Sequence, residues 1–153
     1  MASCQPQIVI LEDDDLTDEL IGAALMEAEI SCPVRSIGTE KGFMDWIAAP
    51  DWPLDRCVFV LDLRVRWTRL TPGYTLPPEA STNPGAAGFR CLMALRSRLA
   101  HPAAIIYTSQ THDLGTTPEV AELLFETQTK WLVKHEGQVS ELVAEVRRKL
   151  RAL

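Results

Sequence analysis

Two apolar segments, QIVIL at Gln7–Leu11 and CVFVLDL at residues 57–63, decide the fold. Acidic residues stand at or near their carboxyl ends. Glu12 and Asp13 directly follow the first segment, and Asp62 interrupts the second near its end. Short, continuous apolar segments of this kind are typical of strands that are buried on both faces of a sheet. The sequence therefore predicts two buried strands that end at carboxylates.

Short apolar segments alternate with helical patterns along the rest of the chain. The predicted strands lie at 7–11, 33–37, 57–63, 103–108 and 131–133, and the predicted helices at 16–29, 39–48, 88–99, 117–125 and 139–150. Apolar strands separated by helices predict a parallel sheet with helices on both faces. The order of the strands does not follow from the pattern.

Two of the predicted helices carry specific expectations. Thr117 is predicted to cap its helix, with Pro118 at the first helical position. Asp14 or Asp15 is predicted to cap the helix at 16–29. One face of that helix carries Leu16, Leu20, Ala24 and Ala28, with Ile21 and Leu25 beside it. This spacing is typical of an amphipathic helix.

The composition restricts the functional class. The 153 residues include 15 basic and 21 acidic side chains, for a formal charge of −6, which argues against nucleic acid as the main partner. The apolar segments are too short to cross a bilayer, and the first residues do not resemble a secretory signal. The four cysteines have no metal-site spacing and are interpreted as reduced thiols. We expect a cytoplasmic protein without a membrane partner.

Polar residues follow several predicted strands and should therefore meet at one edge of the sheet, where ligands bind in this architecture. Glu12, Asp13, Asp62, Thr108 and Lys134 belong to this set. Taken alone, the acidic residues after the first strand could be cap residues on a solvated turn. A carboxylate inside an apolar segment needs a cation or a lysine nearby, and clustered carboxylates are typical ligands of Mg²⁺.

The ordered set of motifs resembles the receiver domain of two-component response regulators over essentially the whole chain. The motifs are IVILEDDD, VFVLDL, GFRCLMALRSRL, AAIIYTS and WLVK. The resemblance implies a flavodoxin-like sheet in the order 2-1-3-4-5. It also implies a phosphoacceptor at Asp62 and Mg²⁺ held by Glu12, Asp13, Asp62 and the backbone carbonyl of Arg64.

The same resemblance implies a function and its partners. A histidine kinase or a phosphotransfer protein would transfer a phosphoryl group to Asp62 with the help of Thr108 and Lys134. Thr108 and the aromatic residue Trp131 would then act as the switch that changes contacts with a downstream protein. The chain would be a stand-alone phosphoprotein, a monomer or weak homodimer, with weak autophosphatase activity rather than conventional enzyme activity.

The main departure from the family is a long insertion at residues 64–87 in one receiver-like domain, 1–153. It carries Arg64, Arg66, Trp67 and Arg69, and it is either a surface excursion or a lid or docking surface beside the acidic pocket. A second departure is His135, which stands where the family usually has proline. We expect a trans peptide bond and a reshaped loop there.

Three alternatives remain. A pseudo-receiver would use the same fold as a binding module that is regulated without phosphorylation, which the insertion and His135 favour. An aspartate-nucleophile phosphatase would need a second carboxylate two positions after Asp62, where Arg64 stands. A flavin-binding relative would need a glycine-rich or hydroxyl-rich loop after the first strand, where acidic residues stand.

Overall fold

The computed structural model describes residues 4–69, 76–78, 83, 86–110, 117–135 and 139–153. The strands are β1 (Gln7–Leu11), β2 (Val34–Ile37), β3 (Cys57–Leu61), β4 (Ala103–Thr108) and β5 (Lys130–Val133). The α-helices are α1 (Asp15–Glu27), α2 (Glu40–Ala48), α3 (Ala87–Arg96), α4 (Pro118–Glu126) and α5 (Ser140–Arg151). A short 3-10 helix at Leu54–Arg56 precedes β3.

The five strands form one parallel sheet in the order β2-β1-β3-β4-β5. This confirms the predicted fold class and the strand order that the family resemblance implied. β1 and β3 lie at the centre, and Leu11 pairs with Leu61 at the carboxyl ends of these strands. All residues of β1 and β3 are buried, which is why their sequences are continuously apolar rather than alternating.

The alternation of side chains along the strands produces two hydrophobic cores, one on each face of the sheet. On one face, Leu11 and Leu61 pack in a core with side chains from α2, α3 and α4. On the other face, Ile10 and Val60 pack with side chains from α1 and α5. Helices therefore cover both faces of the sheet, as the sequence predicts.

The apolar residues that the sequence groups along α1 are buried only in part. Leu16 and Leu20 are exposed by 76% and 47%, and the buried residues of the helix are Ile21 and Leu25. The helix starts at Asp15 and its buried face centres on the i, i+4 pair of Ile21 and Leu25, so Leu16 and Leu20 fall at its margin. The side chain of Asp14 accepts a hydrogen bond from the Thr17 hydroxyl at 2.5 Å rather than from a backbone N–H group of the helix.

The starts of α2 and α4 follow ordinary capping rules. Thr117 caps α4 by accepting a hydrogen bond from the Val120 N–H at 3.3 Å, with Pro118 at the first position, as predicted. Thr39 caps α2 in the same way through the Gly42 N–H at 3.1 Å. In the part of the chain with described coordinates, no helix has both the length and the apolar character that a membrane span requires.

The first residues of the predicted insertion run along the start of α2. The carbonyl groups of Arg66 and Trp67 accept hydrogen bonds from the N–H groups of Glu40 and Lys41, each at 2.9 Å. These two donors belong to the first turn of α2, where backbone N–H groups have no partner within the helix. Val65 is buried in the hydrophobic core that also contains side chains of α2. The insertion therefore leaves the sheet along a fixed path.

A buried ion pair joins α2 to α3 and also holds the returning end of the insertion. The guanidinium of Arg90 contacts both carboxylate oxygens of Glu40, at 2.5 and 2.9 Å, and the Glu40 side chain is 1% exposed. Arg90 also donates a hydrogen bond to the carbonyl of Asn83 at 2.7 Å. Glu40 of α2 bonds to the start of the insertion through its backbone N–H, and Arg90 of α3 bonds to its returning end at Asn83. Residues 70–75, 79–82 and 84–85 of the predicted insertion lie outside the described residues.

Gly88, in the first turn of α3, allows this helix to approach the end of β3. A Cβ atom at this position would lie 2.5 Å from the Asp62 carbonyl oxygen and 3.0 Å from Leu63 Cδ2. The first distance is far shorter than normal contact and the neighbour is backbone. Only glycine fits here without moving the chain that carries Asp62.

We expect Gly88→Ala to destabilise the fold by about 1–3 kcal/mol, because the added methyl group overlaps backbone. Gly22→Ala is the matched control, since its Cβ would meet no atom within 4 Å. In the middle of α1 this substitution should stabilise by about 0.5–1 kcal/mol. Urea unfolding of both variants measures the difference, and equal effects of the two would contradict the close approach.

Candidate functional site

The acidic residues that follow β1 and β3 lie together at the carboxyl edge of the sheet. Carboxylate oxygens of Glu12, Asp13 and Asp62 lie within 4.8 Å of one another. The cause is the strand register: Leu11 pairs with Leu61, so Glu12 and Asp62 leave adjacent strands at the same level. The Asp62 N–H donates to the Leu11 carbonyl at 3.0 Å, which extends the ladder to this position.

Lys134 reaches the same pocket from the end of β5. Its Nζ lies 2.5 Å from Glu12 Oε2 and 2.9 Å from Asp62 Oδ2. The Lys134 N–H donates to the Thr108 carbonyl at 2.7 Å, which ties the residue to the end of β4. No described peptide bond is cis, and Lys134 enters the pocket with His135 next to it. The trans peptide bond expected between Lys134 and His135 is therefore confirmed, and the lysine side chain contacts both carboxylates.

Burial and charge act together on the ionisation of this cluster. Burial raises the pKa of Glu12 above its usual value of 4.5, and the nearby Asp62 charge adds to this, while the hydrogen bond from Lys134 opposes it. Burial lowers the pKa of Lys134, but the charge of Asp62 and the hydrogen bonds to both carboxylates outweigh burial and raise it overall. Lys134 therefore carries its positive charge between the two acids at neutral pH.

Thr108 and Trp131 are linked through the backbone of one residue, Gln110. The Gln110 N–H donates a long hydrogen bond, 3.4 Å, to the buried Thr108 hydroxyl. The Gln110 carbonyl accepts a hydrogen bond from the indole Nε1–H of Trp131 at 3.1 Å. The Trp131 ring packs on Phe89 of α3, with 5.6 Å between ring centroids. The Thr108 hydroxyl and the Trp131 indole therefore contact the same backbone segment.

The insertion reaches the acidic pocket through Arg66. Its backbone N–H and its side-chain Nε–H both donate to Asp13 Oδ2, at 3.3 and 3.4 Å. Arg64 and Arg69 are exposed, and Trp67 is half-buried. The Arg64 N–H donates to Asp62 Oδ1 at 3.4 Å. Of the four insertion residues singled out in the sequence, Arg66 contacts a carboxylate of the cluster through its side chain and Arg64 through its backbone.

Two features of this edge were not found in the sequence. The sequence does not predict the Glu40–Arg90 pair directly. Arg90 stands among apolar residues at the start of its helix, and this position favours a buried partner. The linking role of Gln110 rests on its backbone atoms, so its side-chain identity carries no signal.

The donor set fits a small, hard divalent cation. It consists of three carboxylates, two of them buried, with oxygens close enough to share one ion. Lys134 and Arg66 supply two positive charges against three negative ones, so a charge deficit remains that a cation would offset. Oxygen ligands of this type suit Mg²⁺.

Lys134→Met should destabilise the fold by about 3 kcal/mol at pH 7, because Glu12 and Asp62 lose their shared counter-charge. The folded-state pKa of Glu12 lies above its unfolded value, so acidification protonates this group in the folded protein first and favours folding. The decrease in the free energy of unfolding caused by Lys134→Met should therefore be smaller at pH 5 than at pH 7.

Urea unfolding at the two pH values measures this effect. Lys130→Met, an exposed position on the same strand, is the control and should change the free energy of unfolding by less than about 0.5 kcal/mol. A loss in Lys134→Met that does not depend on pH would contradict the electrostatic origin.

No protein-family model matches the chain, and no curated protein matches it in sequence. Solved structures do match, at low identity. The Francisella response regulator 1452 receiver domain has a TM-score of 0.61 and 18% identity, over 97% of this chain and 98% of that one. A CheY-like response regulator receiver domain protein from Methanospirillum hungatei has a TM-score of 0.64 and 13% identity, over 97% and 95%.

The response regulator TrrA from Thermotoga maritima, solved in complex with Mg²⁺ and BeF, matches with a TM-score of 0.63 and 14% identity. The match covers 95% of this chain and 100% of that one. These three structures share with this chain an architecture and not a closely related sequence. The chain thus has the fold of response regulator receiver domains.

Proposed function

We propose that this protein is a phosphoacceptor receiver of a two-component or phosphorelay system, in which Asp62 accepts a phosphoryl group. The observation that carries the proposal is the contact of Lys134 with both Glu12 and Asp62 in a cluster of three carboxylates. Stabilisation of a fold does not require three acids at one strand edge with a single lysine. Phosphoryl transfer does require concentrated charge of this kind.

Mg²⁺ is the proposed cofactor, held by Glu12, Asp13, Asp62 and the carbonyl of Arg64. When bound, the ion would offset the negative charge that the carboxylates and the phosphoryl oxygens bring together. The TrrA structure contains Mg²⁺ and BeF, which supports this assignment by likeness of fold.

In the proposed reaction, a carboxylate oxygen of Asp62 attacks the phosphorus of a phosphohistidine. An O–P bond forms, the N–P bond breaks, and the imidazole recovers the electron pair. The Lys134 ammonium, 2.9 Å from Asp62 Oδ2, is placed to stabilise the added negative charge. Slow attack of water on the acyl phosphate would return inorganic phosphate and the Asp62 carboxylate, which is the proposed weak autophosphatase activity.

The proposed switch uses the link through Gln110. When the phosphoryl group forms, the Thr108 hydroxyl turns toward it and gives up its long contact with the Gln110 N–H. Gln110 then shifts, and its carbonyl moves relative to the Trp131 indole. Because Trp131 lies on β5, the change would reach the face formed by α4, β5 and α5, where a downstream protein would bind.

The proposed partners are a histidine kinase or phosphotransfer protein and a downstream protein target. Cytoplasmic location, a monomeric or weakly dimeric state and the absence of a nucleic-acid partner belong to the same proposal. The acidic charge of −6 supports the last of these.

Incubation with Mg²⁺ and acetyl phosphate tests the acceptor. We expect one phosphoryl group per chain by intact mass, labile in acid and base, and absent from Asp62→Asn. Asp55→Asn is the matched control, because Asp55 is exposed before the start of β3, at the opposite edge of the sheet, and should label normally. Label that persists in Asp62→Asn would exclude Asp62 as the acceptor.

Beryllofluoride tests the switch independently of turnover. With Mg²⁺ present, it should change the intrinsic tryptophan fluorescence, because the environment of Trp131 changes. Trp131→Phe should remove most of the response, whereas Trp46→Phe should keep it, since Trp46 packs on Phe43 and Phe59 in α2 and β3. The absence of any Mg²⁺-dependent change in the native protein would instead favour a pseudo-receiver that binds partners without phosphorylation.

A further inference from the structure

The contact between Arg66 and Asp13 has no role in the reaction proposed above. Arg66 comes from the insertion, and its guanidinium approaches a carboxylate that belongs to the acidic cluster. The Arg66 side chain is 56% exposed, whereas that of Asp13 is 23% exposed. The arginine therefore covers the carboxylate from the solvent side and remains able to leave it.

Arg66 makes two separable contacts with the same oxygen. The backbone N–H donates to Asp13 Oδ2 at 3.3 Å and fixes the orientation of the carboxylate. The side-chain Nε–H donates at 3.4 Å and brings a positive charge. The backbone contact is held independently, since the Arg66 carbonyl is bonded to the Glu40 N–H in the first turn of α2. Removal of the side chain therefore removes the charge and leaves the carboxylate positioned.

We propose that the Arg66 side chain is a resident counter-charge that competes with a divalent cation for Asp13 and so sets the metal affinity of the pocket. The inference rests on the proposed function for the identity of the cation. A guanidinium on a ligand oxygen reduces the negative charge available to the ion and repels it. A bound cation must therefore weaken the contact between Arg66 and Asp13.

The competition couples the insertion to the site. A cation weakens the contact of Arg66 with Asp13, so a partner that draws Arg66 away raises the affinity of the pocket for the cation. By linkage, the cation raises the affinity of the protein for that partner by the same factor. An acidic group on a protein that docks against residues 64–69 has the chemistry to do this. The insertion thus provides a route by which partner binding increases metal occupancy.

A Mg²⁺ titration followed by amide NMR at constant ionic strength tests the proposal on the full chain. Four proteins are compared: the native chain, Arg66→Ala, Arg66→Lys and Arg98→Ala. Arg98 is exposed and lies between α3 and the start of β4, away from the acidic edge, so this variant removes one positive charge elsewhere. Unchanged signals of the Glu40 and Lys41 amides show that the path of the insertion is kept.

Arg66→Ala should bind Mg²⁺ about two- to fivefold more tightly, the range expected for loss of an exposed ion pair. Arg66→Lys and Arg98→Ala should remain close to the native chain, and the native Arg66 Nε–H signal should shift as Mg²⁺ binds. Unchanged or weaker binding in Arg66→Ala, or an equal gain in Arg98→Ala, would overturn the proposal. Absence of Mg²⁺ binding in all four proteins would overturn it together with the proposed cofactor.

The two proposals fail differently. If Asp62 takes no phosphoryl group while Arg66→Ala still binds Mg²⁺ more tightly, the counter-charge proposal stands and the phosphoacceptor function falls. If Asp62 is phosphorylated and Arg66→Ala binds Mg²⁺ as the native chain does, the phosphoacceptor function stands and the counter-charge proposal falls.

Discussion

One ammonium group between two buried carboxylates is the interaction on which this edge of the molecule depends. Lys134 contacts Glu12 and Asp62, whose side chains are 2% and 8% exposed, and so joins the ends of β1, β3 and β5. Two carboxylates this close repel each other, and the lysine offsets this repulsion. The lysine therefore allows the fold to concentrate acids at the point where its central strands end.

The surroundings of the cluster are arranged so that this edge keeps its shape. Gly88 lets α3 lie against the Asp62 carbonyl, and the buried Glu40–Arg90 pair fixes α3 to α2. The backbone of Arg66 and Trp67 completes the first turn of α2. Thr108 on β4 and Trp131 on β5 share Gln110 as a common neighbour. The acidic pocket is therefore bordered by a close helix approach, a buried ion pair and hydrogen bonds to backbone atoms.

The sequence predicts the sheet well because strands buried on both faces leave a continuous apolar signal, as at Gln7–Leu11. It also predicts which residues face the pocket, since carboxyl ends of parallel strands meet at one edge. The strand order came from the family resemblance and not from the pattern. The sequence does not separate the buried from the exposed apolar residues of α1, because Leu16 and Leu20 are as apolar as Ile21 and the packing that separates them is tertiary. The Glu40–Arg90 and Arg66–Asp13 contacts join distant parts of the chain, which local patterns do not report.

The two anchors of the insertion have a consequence for how this protein can change. The chain is tied at Arg66 and Trp67 on departure and at Asn83, through Arg90, on return. The entropy of closing a loop between fixed ends grows only slowly, by about 0.6 kcal/mol for each doubling of its length. The stretch between the anchors could therefore be lengthened or shortened at little thermodynamic cost, without releasing either end from α2 and α3.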